Sequence, residues 1–164
     1  MSDFSVTPLN ADAQPPVPQP AHDLIQCDGW WPAVNITAVR LAVDLNNNVT
    51  ADRLRDAVRL AMIDIALELA EWRAGQAAAG YAKLDDVPGR IVVDGKSDYC
   101  HRWFRAVSSV VAADLGERLL GQGLTKAGAD RAEALGSEVG VHQRNVVHAV
   151  RDFLGKARIR ARMI

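Results

Sequence analysis

"TADRLRDAVRLAMIDIALELAEWRAGQAAAG", residues 50–80, decides the fold. It contains no proline and few β-branched residues, so nothing stops an α-helix from running its length. Thr50 is a suitable N-cap, its hydroxyl able to take one of the free N–H groups of the first turn. Leu54, Val58, Ala61, Ile65, Leu69 and Trp72 recur three and four residues apart, which makes one apolar stripe. As a single helix over residues 50–79 it would be about 40 Å long at 1.5 Å per residue. Gly75 weakens its last turns, and Gly80 is a natural residue just past the end.

Two downstream segments show the same periodicity. A second helix fits residues 97–120, capped by Ser97, with Cys100, Trp103, Phe104, Val107, Val110, Val111, Leu115 and Leu119 along one side. Gly121 and Gly123 end it. A third fits residues 126–158 behind Thr125, with a stripe of Leu135, Val139, Val146, Val150, Phe153 and Leu154. Gly128, Gly136 and Gly140 each cost about 1 kcal/mol against Ala, so its first half is the weaker and residues 137–158 the stronger. The expected fold is all-α: a small helical bundle with main helices over about 50–79, 97–120 and 126–158. Its expected core comprises Leu54, Val58, Ile65, Leu69, Trp72, Trp103, Phe104, Val107, Val150 and Leu154.

Three appendages surround this domain of residues 30–158. Residues 1–29 read as an extended arm, because Pro8, Pro15, Pro16, Pro18 and Pro20 favour polyproline-like chain. Asp28-Gly29 signals a turn and Pro32 blocks helix through Trp31, which leaves Trp30 and Trp31 to anchor the arm on the body. Residues 36–43 fit a short helix, followed by an Asn46-Asn47-Asn48 loop. The connector over residues 80–96 is longer than a bundle needs. In it Tyr81 and Leu84 can pack back on the bundle end, Pro88-Gly89 reverses the chain, and Ile91, Val92 and Val93 run extended into Asp94-Gly95. The tail, residues 159–164, follows Lys156 and Arg158 and adds Arg160 and Arg162. From Arg158 its strict alternation suits extended chain. A dipole effect at a helix end accounts for Lys156 and Arg158 but not for Arg160 and Arg162, so contact with phosphate or an acidic protein surface is the other reading.

The rest of the sequence excludes more than it assigns. The 164 residues are 49% hydrophobic and 24% charged with a net charge of −1, which fits one globular domain and singles out neither nucleic acid nor anionic membrane. Cys27 and Cys100 alone make no disulfide scaffold, and the N-terminus lacks the charge and apolar run of a signal peptide. No stretch approaches the ~20 apolar residues of a membrane span. The expectation is a protein made in a cytoplasm. His22, His101, His142 and His148 form no metal-ligand spacing, "GQGLTKAG" lacks the ending of a phosphate-binding loop, and no nucleophile elbow occurs. Asp85-Asp86 and Glu68 with Glu71 read as solvated faces. No enzyme chemistry, cofactor or metal is expected. Arm, connector and tail each need partner contacts to offset the entropy of ordering them, which suits an assembly component.

The segment "LRDAVRLAMIDIALELAEWRAGQAAAGYAKLDDVP", residues 54–88, resembles the head completion/stabilisation proteins of tailed bacteriophages, the gpL family. The likeness includes the Pro-rich N-terminus, "WWPAVNITAVRLAV", the "VTADRLRDAV" helix start and a run carried here by Glu68, Arg73, Ala79-Gly80-Tyr81, Leu84 and Val87-Pro88. An acidic-Gly connector and the aromatic helix start "DGKSDYCHRWFRAV" follow. The stretch from Gly121 to Gly140 departs from it. The resemblance implies a neck adaptor in the virion that binds the portal after packaging, extends the channel for double-stranded DNA and offers a surface to tail-side proteins such as a tail terminator. It also implies a homo-oligomeric, twelvefold ring of neighbouring copies, which needs head-to-tail contacts. Tyr81, Leu84, Ile91, Val92 and Val93 are then expected to touch a neighbour or the portal, and Lys156, Arg158, Arg160 and Arg162 to dock on the portal or face DNA. The alternative is a small helical nucleic-acid-binding regulator or packaging accessory, for which Arg144 and Asn145 are the thin evidence on the third helix.

Overall fold

A computed structural model describes residues 23–43, 49–120 and 126–156, with the side chains of residues 119–120, 126–135 and 137–138 outside the description. The proline-rich segment, Asn46-Asn47-Asn48, the Gly121 and Gly123 stop, the Thr125 cap, and Arg158, Arg160 and Arg162 lie outside the described residues. The elements in chain order are β1 (Leu24–Ile25), β2 (Val34–Asn35), α1 (Ile36–Ala42), α2 (Ala51–Glu68), α3 (Ala70–Ala78), β3 (Val92–Val93), β4 (Lys96–Ser97), α4 (Asp98–Leu120) and α5 (Lys126–Phe153). The protein is mainly helical, as expected, with two small antiparallel strand pairs added. Among the described residues no helix is long and apolar enough to cross a membrane.

α4 is the middle of the bundle: it packs along α5 and against α2. Leu54, Val58, Ala61, Ile65 and Leu69 are all buried, the stripe read from the sequence. Trp103, Val107, Val111 and Leu115 meet them from α4, and Val139, Val150 and Phe153 from α5. Trp72, Phe104 and Leu154 were expected in the core but are only partly buried, packed against its edge.

The expected helix over residues 50–79 is two. Thr50 caps α2 as anticipated, its hydroxyl accepting from the Arg53 N–H at 3.4 Å. At Leu69 the backbone leaves helical values (φ −95°, ψ 8°) for the bridge region. The ladder survives, since Leu69 N–H reaches the Ile65 carbonyl at 3.0 Å and Arg73 N–H the Leu69 carbonyl at 2.9 Å. No proline or glycine marks this point. The break lies between a fully buried Leu69 and Trp72, whose ring packs on Trp30, Tyr99 and Phe153, so tertiary packing overrides local propensity.

α3 ends as the sequence indicates: Gly80 takes φ 98°, its N–H bonds the Ala77 carbonyl and the Tyr81 N–H bonds the Gln76 carbonyl, a Schellman cap. The third helix stops at Phe153 rather than running to Arg158. Gly155 takes φ 64° and the Lys156 N–H bonds the Arg151 carbonyl at 2.9 Å, the same cap repeated. Lys156 therefore stands past the helix end, exposed. The backbone of α5 is helical from Lys126 onward despite its glycines.

The body starts earlier than expected. Leu24–Ile25 pairs with Val34–Asn35, with Ile25 buried, so residues 24–29 belong to the domain and not to an arm. Asn35 then caps α1, its side-chain oxygen accepting from Ala38 N–H at 2.8 Å. The loop between β1 and β2 puts Trp30 and Trp31 inside, 6% and 2% exposed. Trp31 stacks on Trp103 with centroids 4.4 Å apart, and Trp30, Trp72, Tyr99 and Phe153 complete an aromatic cluster. Both indoles are a hub of the core, more than the anchor of an arm.

Candidate assembly surface

The connector divides at its middle. Its first half is fixed to the hub: the Leu84 N–H donates to the Trp30 carbonyl at 2.9 Å, the Trp30 Nε1–H to the Tyr81 carbonyl at 3.4 Å, and Leu84 and Val87 are buried. Leu84 is 0% exposed and cannot reach another molecule, so its expected place in a neighbour contact is corrected to one inside the core. Tyr81 is partly buried against the same cluster. Asp28 fastens this region from the other side. Burial opposes ionisation of its carboxyl, but the hydrogen bond from Arg73 and that from the Trp30 N–H at 3.1 Å outweigh it and hold the pKa below the ordinary value. The Arg73 guanidinium also sits 5.2 Å above the Trp30 ring centre, a cation–π contact.

The second half turns outward as a hairpin. Val92 pairs with Ser97 and Val93 with Lys96. Asp94 (φ 50°) and Gly95 (φ 73°) form the two-residue turn with both φ values positive, the geometry that matches strand twist and favours Asp-Gly. Ile91, Val92 and Val93 are 63%, 68% and 47% exposed. Such apolar residues would normally order a loop by burial, and here they do not.

Polar bonds hold the hairpin instead. Asp98, at the start of α4, donates its N–H to the Ile91 carbonyl and accepts from the Arg90 N–H through Oδ1, both at 3.0 Å. A β-carbon on Gly89 would fall 2.3 Å from that Oδ1, so only glycine permits the approach. His101 places Nε2 3.0 Å from the Val93 carbonyl, which requires the proton on Nε2. Arg102 joins Asp98 Oδ2 at 3.0 Å to Asp152 on α5 and so ties the hairpin's base across both helices. Its side chain is 29% exposed and the two carboxylates 14% and 15%, sheltered enough for these bonds to count. Below the hairpin is a cleft of about 390 Å³ lined by Val93, His101, Arg105 and His148. Among the described residues no group of three or more His, Cys, Asp or Glu could hold a metal ion. Nearby, burial raises the pKa of the Cys100 thiol, with its hydrogen bond to Asp85 at 3.2 Å acting in the same sense and Ser97 against it.

A second apolar surface was not anticipated. Leu60, Ile63 and Leu67 are 55%, 52% and 69% exposed on the outer face of α2, away from the buried stripe. Glu68 and Glu71 are exposed, as read, and Asp64 with them. The signal was present in the sequence as apolar residues that do not fit the inner stripe. The clasp of Asp98, His101, Arg102 and Asp152 had no such signal, since Arg102 and Asp152 are 50 residues apart.

The phage head completion protein (GPL) family profile matches residues 25–164. The head completion/stabilization protein of Escherichia phage P2 is 31% identical over 153 residues, which cover 92% of this chain and 90% of that protein. No solved structure matches. The matched segment opens at Ile25, in β1, and takes in the hub, the hairpin and the five described helices. The chain belongs to the phage head completion protein family.

Proposed function

We propose that this head completion protein is a non-enzymatic connector of the virion neck. After packaging, copies bind the outer end of the portal and close into a ring of matching, twelvefold symmetry. The ring extends the channel through which double-stranded DNA passes, stabilises the filled head and offers the surface on which a tail-side protein sits. The observation that supports this reading most is the hairpin. A chain of this family carries three successive exposed aliphatic residues on an element fixed in place by backbone and ion-pair bonds. A preformed apolar element lowers the ordering cost of association, as a connector joining finished parts requires.

Lys156 and the arginines beyond it are assigned to the portal. A near-neutral chain does not draw its main affinity from DNA, and channel walls must release DNA again. The test mixes purified protein with portal rings and measures mass by native mass spectrometry, with negative-stain imaging for symmetry. A twelvefold ring on the portal is the expected result. Replacing Ile91, Val92 and Val93 by Ser is expected to keep helicity and to hinder ring formation. Normal rings from that variant reduce the hairpin to a loop. Deleting residues 159–164 is expected to weaken docking, and unchanged portal binding overturns the role of the tail. A protein that ignores portal and shifts duplex DNA, with affinity falling about one log unit per log unit of salt for each phosphate neutralised, is instead the nucleic-acid-binding alternative.

A further inference from the structure

Resting on the ring reading above, we propose that neighbouring copies join by two different surfaces: the hairpin of one enters the outer stripe of α2 on the next. The stripe of Leu60, Ile63 and Leu67 looks away from α4, on which α2 packs by its other face. The hairpin is fastened at the start of α4 and the end of α5. One chain thus presents the two surfaces to two neighbours, the requirement of a head-to-tail ring.

Charge selects this pairing over the symmetric ones. Exposed Asp64, Glu68 and Glu71 border the stripe, and Arg59, next to Leu60, is paired with Asp56 at 2.8 Å. Exposed Arg90 and Lys96 border the hairpin; Asp94 lies at its turn, and Asp98 at its base is paired with Arg102 at 3.0 Å. Stripe against stripe would oppose carboxylates, and hairpin against hairpin would oppose bases. Hairpin against stripe gives an apolar centre with a rim of opposite charge, which favours the right partner and disfavours the wrong ones.

The experiment uses the full chain with portal rings as template. One variant breaks the hairpin (Val92→Asp) and one breaks the stripe (Leu60→Asp with Leu67→Asp). Wild type is expected to form rings, each variant alone to remain monomeric, and a 1:1 mixture to give heterodimers and nothing larger, because only one intact hairpin meets one intact stripe. The heterodimer also shows that both variants are folded. As a second arm, Arg90→Glu with Lys96→Glu, or Glu68→Lys with Glu71→Lys, is expected to weaken assembly, and all four together to restore it. Either apolar variant assembling like wild type overturns the pairing and leaves the ring reading standing. So does a stripe variant that dimerises alone, or a hairpin variant that still self-associates but loses the portal. Wild type that joins neither itself nor the portal overturns the ring reading and the pairing with it.

Discussion

The two halves of the connector carry similar apolar residues and meet opposite fates. Leu84 and Val87 are buried, Leu84 bonded to the Trp30 carbonyl, while Ile91, Val92 and Val93, a few residues on, stand in solvent. Both halves are ordered, but by different forces. The first is held by removal of apolar surface from water, which is non-directional and large. The second is held by directional bonds among Arg90, Asp98, His101, Arg102 and Asp152, modest in net energy but specific in geometry. Spending polar contacts to fix a loop leaves its aliphatic side chains free for another molecule.

The contrast can be broken at its strongest point first. Trp103→Ala removes the ring stacked on Trp31 and the bond from its Nε1–H to the Pro32 carbonyl at 3.1 Å, and is expected to cost about 3–5 kcal/mol in urea unfolding. Within the connector, Leu84→Ala is expected to cost about 2–5 kcal/mol. Val92→Ser should stay within about 0.5 kcal/mol by the same measurement, as for an exposed site. Equal costs at Leu84 and Val92 would abolish the distinction. Asp98→Ala strips the clasp of its acceptor, with an expected loss of about 1–3 kcal/mol. Faster hydrogen exchange should then appear at the hairpin amides while those of α2 stay protected.

A pH-dependent effect concerns Asp28. Its folded pKa lies below the unfolded value of 3.8, so its ionised form contributes stability that is fully present above that value and lost as pH falls through the folded one. The stability difference between wild type and Asp28→Asn is therefore expected to be constant from pH 7 down to about 5 and to shrink in more acidic solution. With both partners substantially exposed, about 1 kcal/mol or less is at stake.

The sequence made the long elements legible because periodicity reports a buried face repeated over many turns. α2 carries Leu54, Val58, Ala61 and Ile65, and α4 Trp103, Val107, Val111 and Leu115, buried at the expected positions, and Thr50 and Gly80 mark ends by local chemistry that needs no partner. The break at Leu69 was hidden, since packing of Leu69 and Trp72 causes it and no residue type announces it. A two-residue strand such as Leu24–Ile25 has no period to detect, which is why the body begins before its expected boundary. Asp94-Gly95 reads in the sequence as the end of an extended run, whereas it forms the turn of a hairpin whose strands are bonded to Asp98 and His101 from the next helix. At Gly155 a positive φ ends the third helix, short of the expected Arg158. Of the candidate surface, the apolar residues could be read and the bonds that hold them outward could not.

The aromatic hub has an optical consequence. All four tryptophans of the chain lie in it, two of them stacked nearly parallel with centroids 4.4 Å apart and planes 12° from one another. Indole emission and near-ultraviolet dichroism therefore report chiefly on this hub. Loss of the native fold should redden the emission and collapse the dichroic bands, whereas the proposed joining of copies through Ile91–Val93 should pass without a spectral change. One cuvette can then separate a variant that fails to fold from one that folds and stays alone.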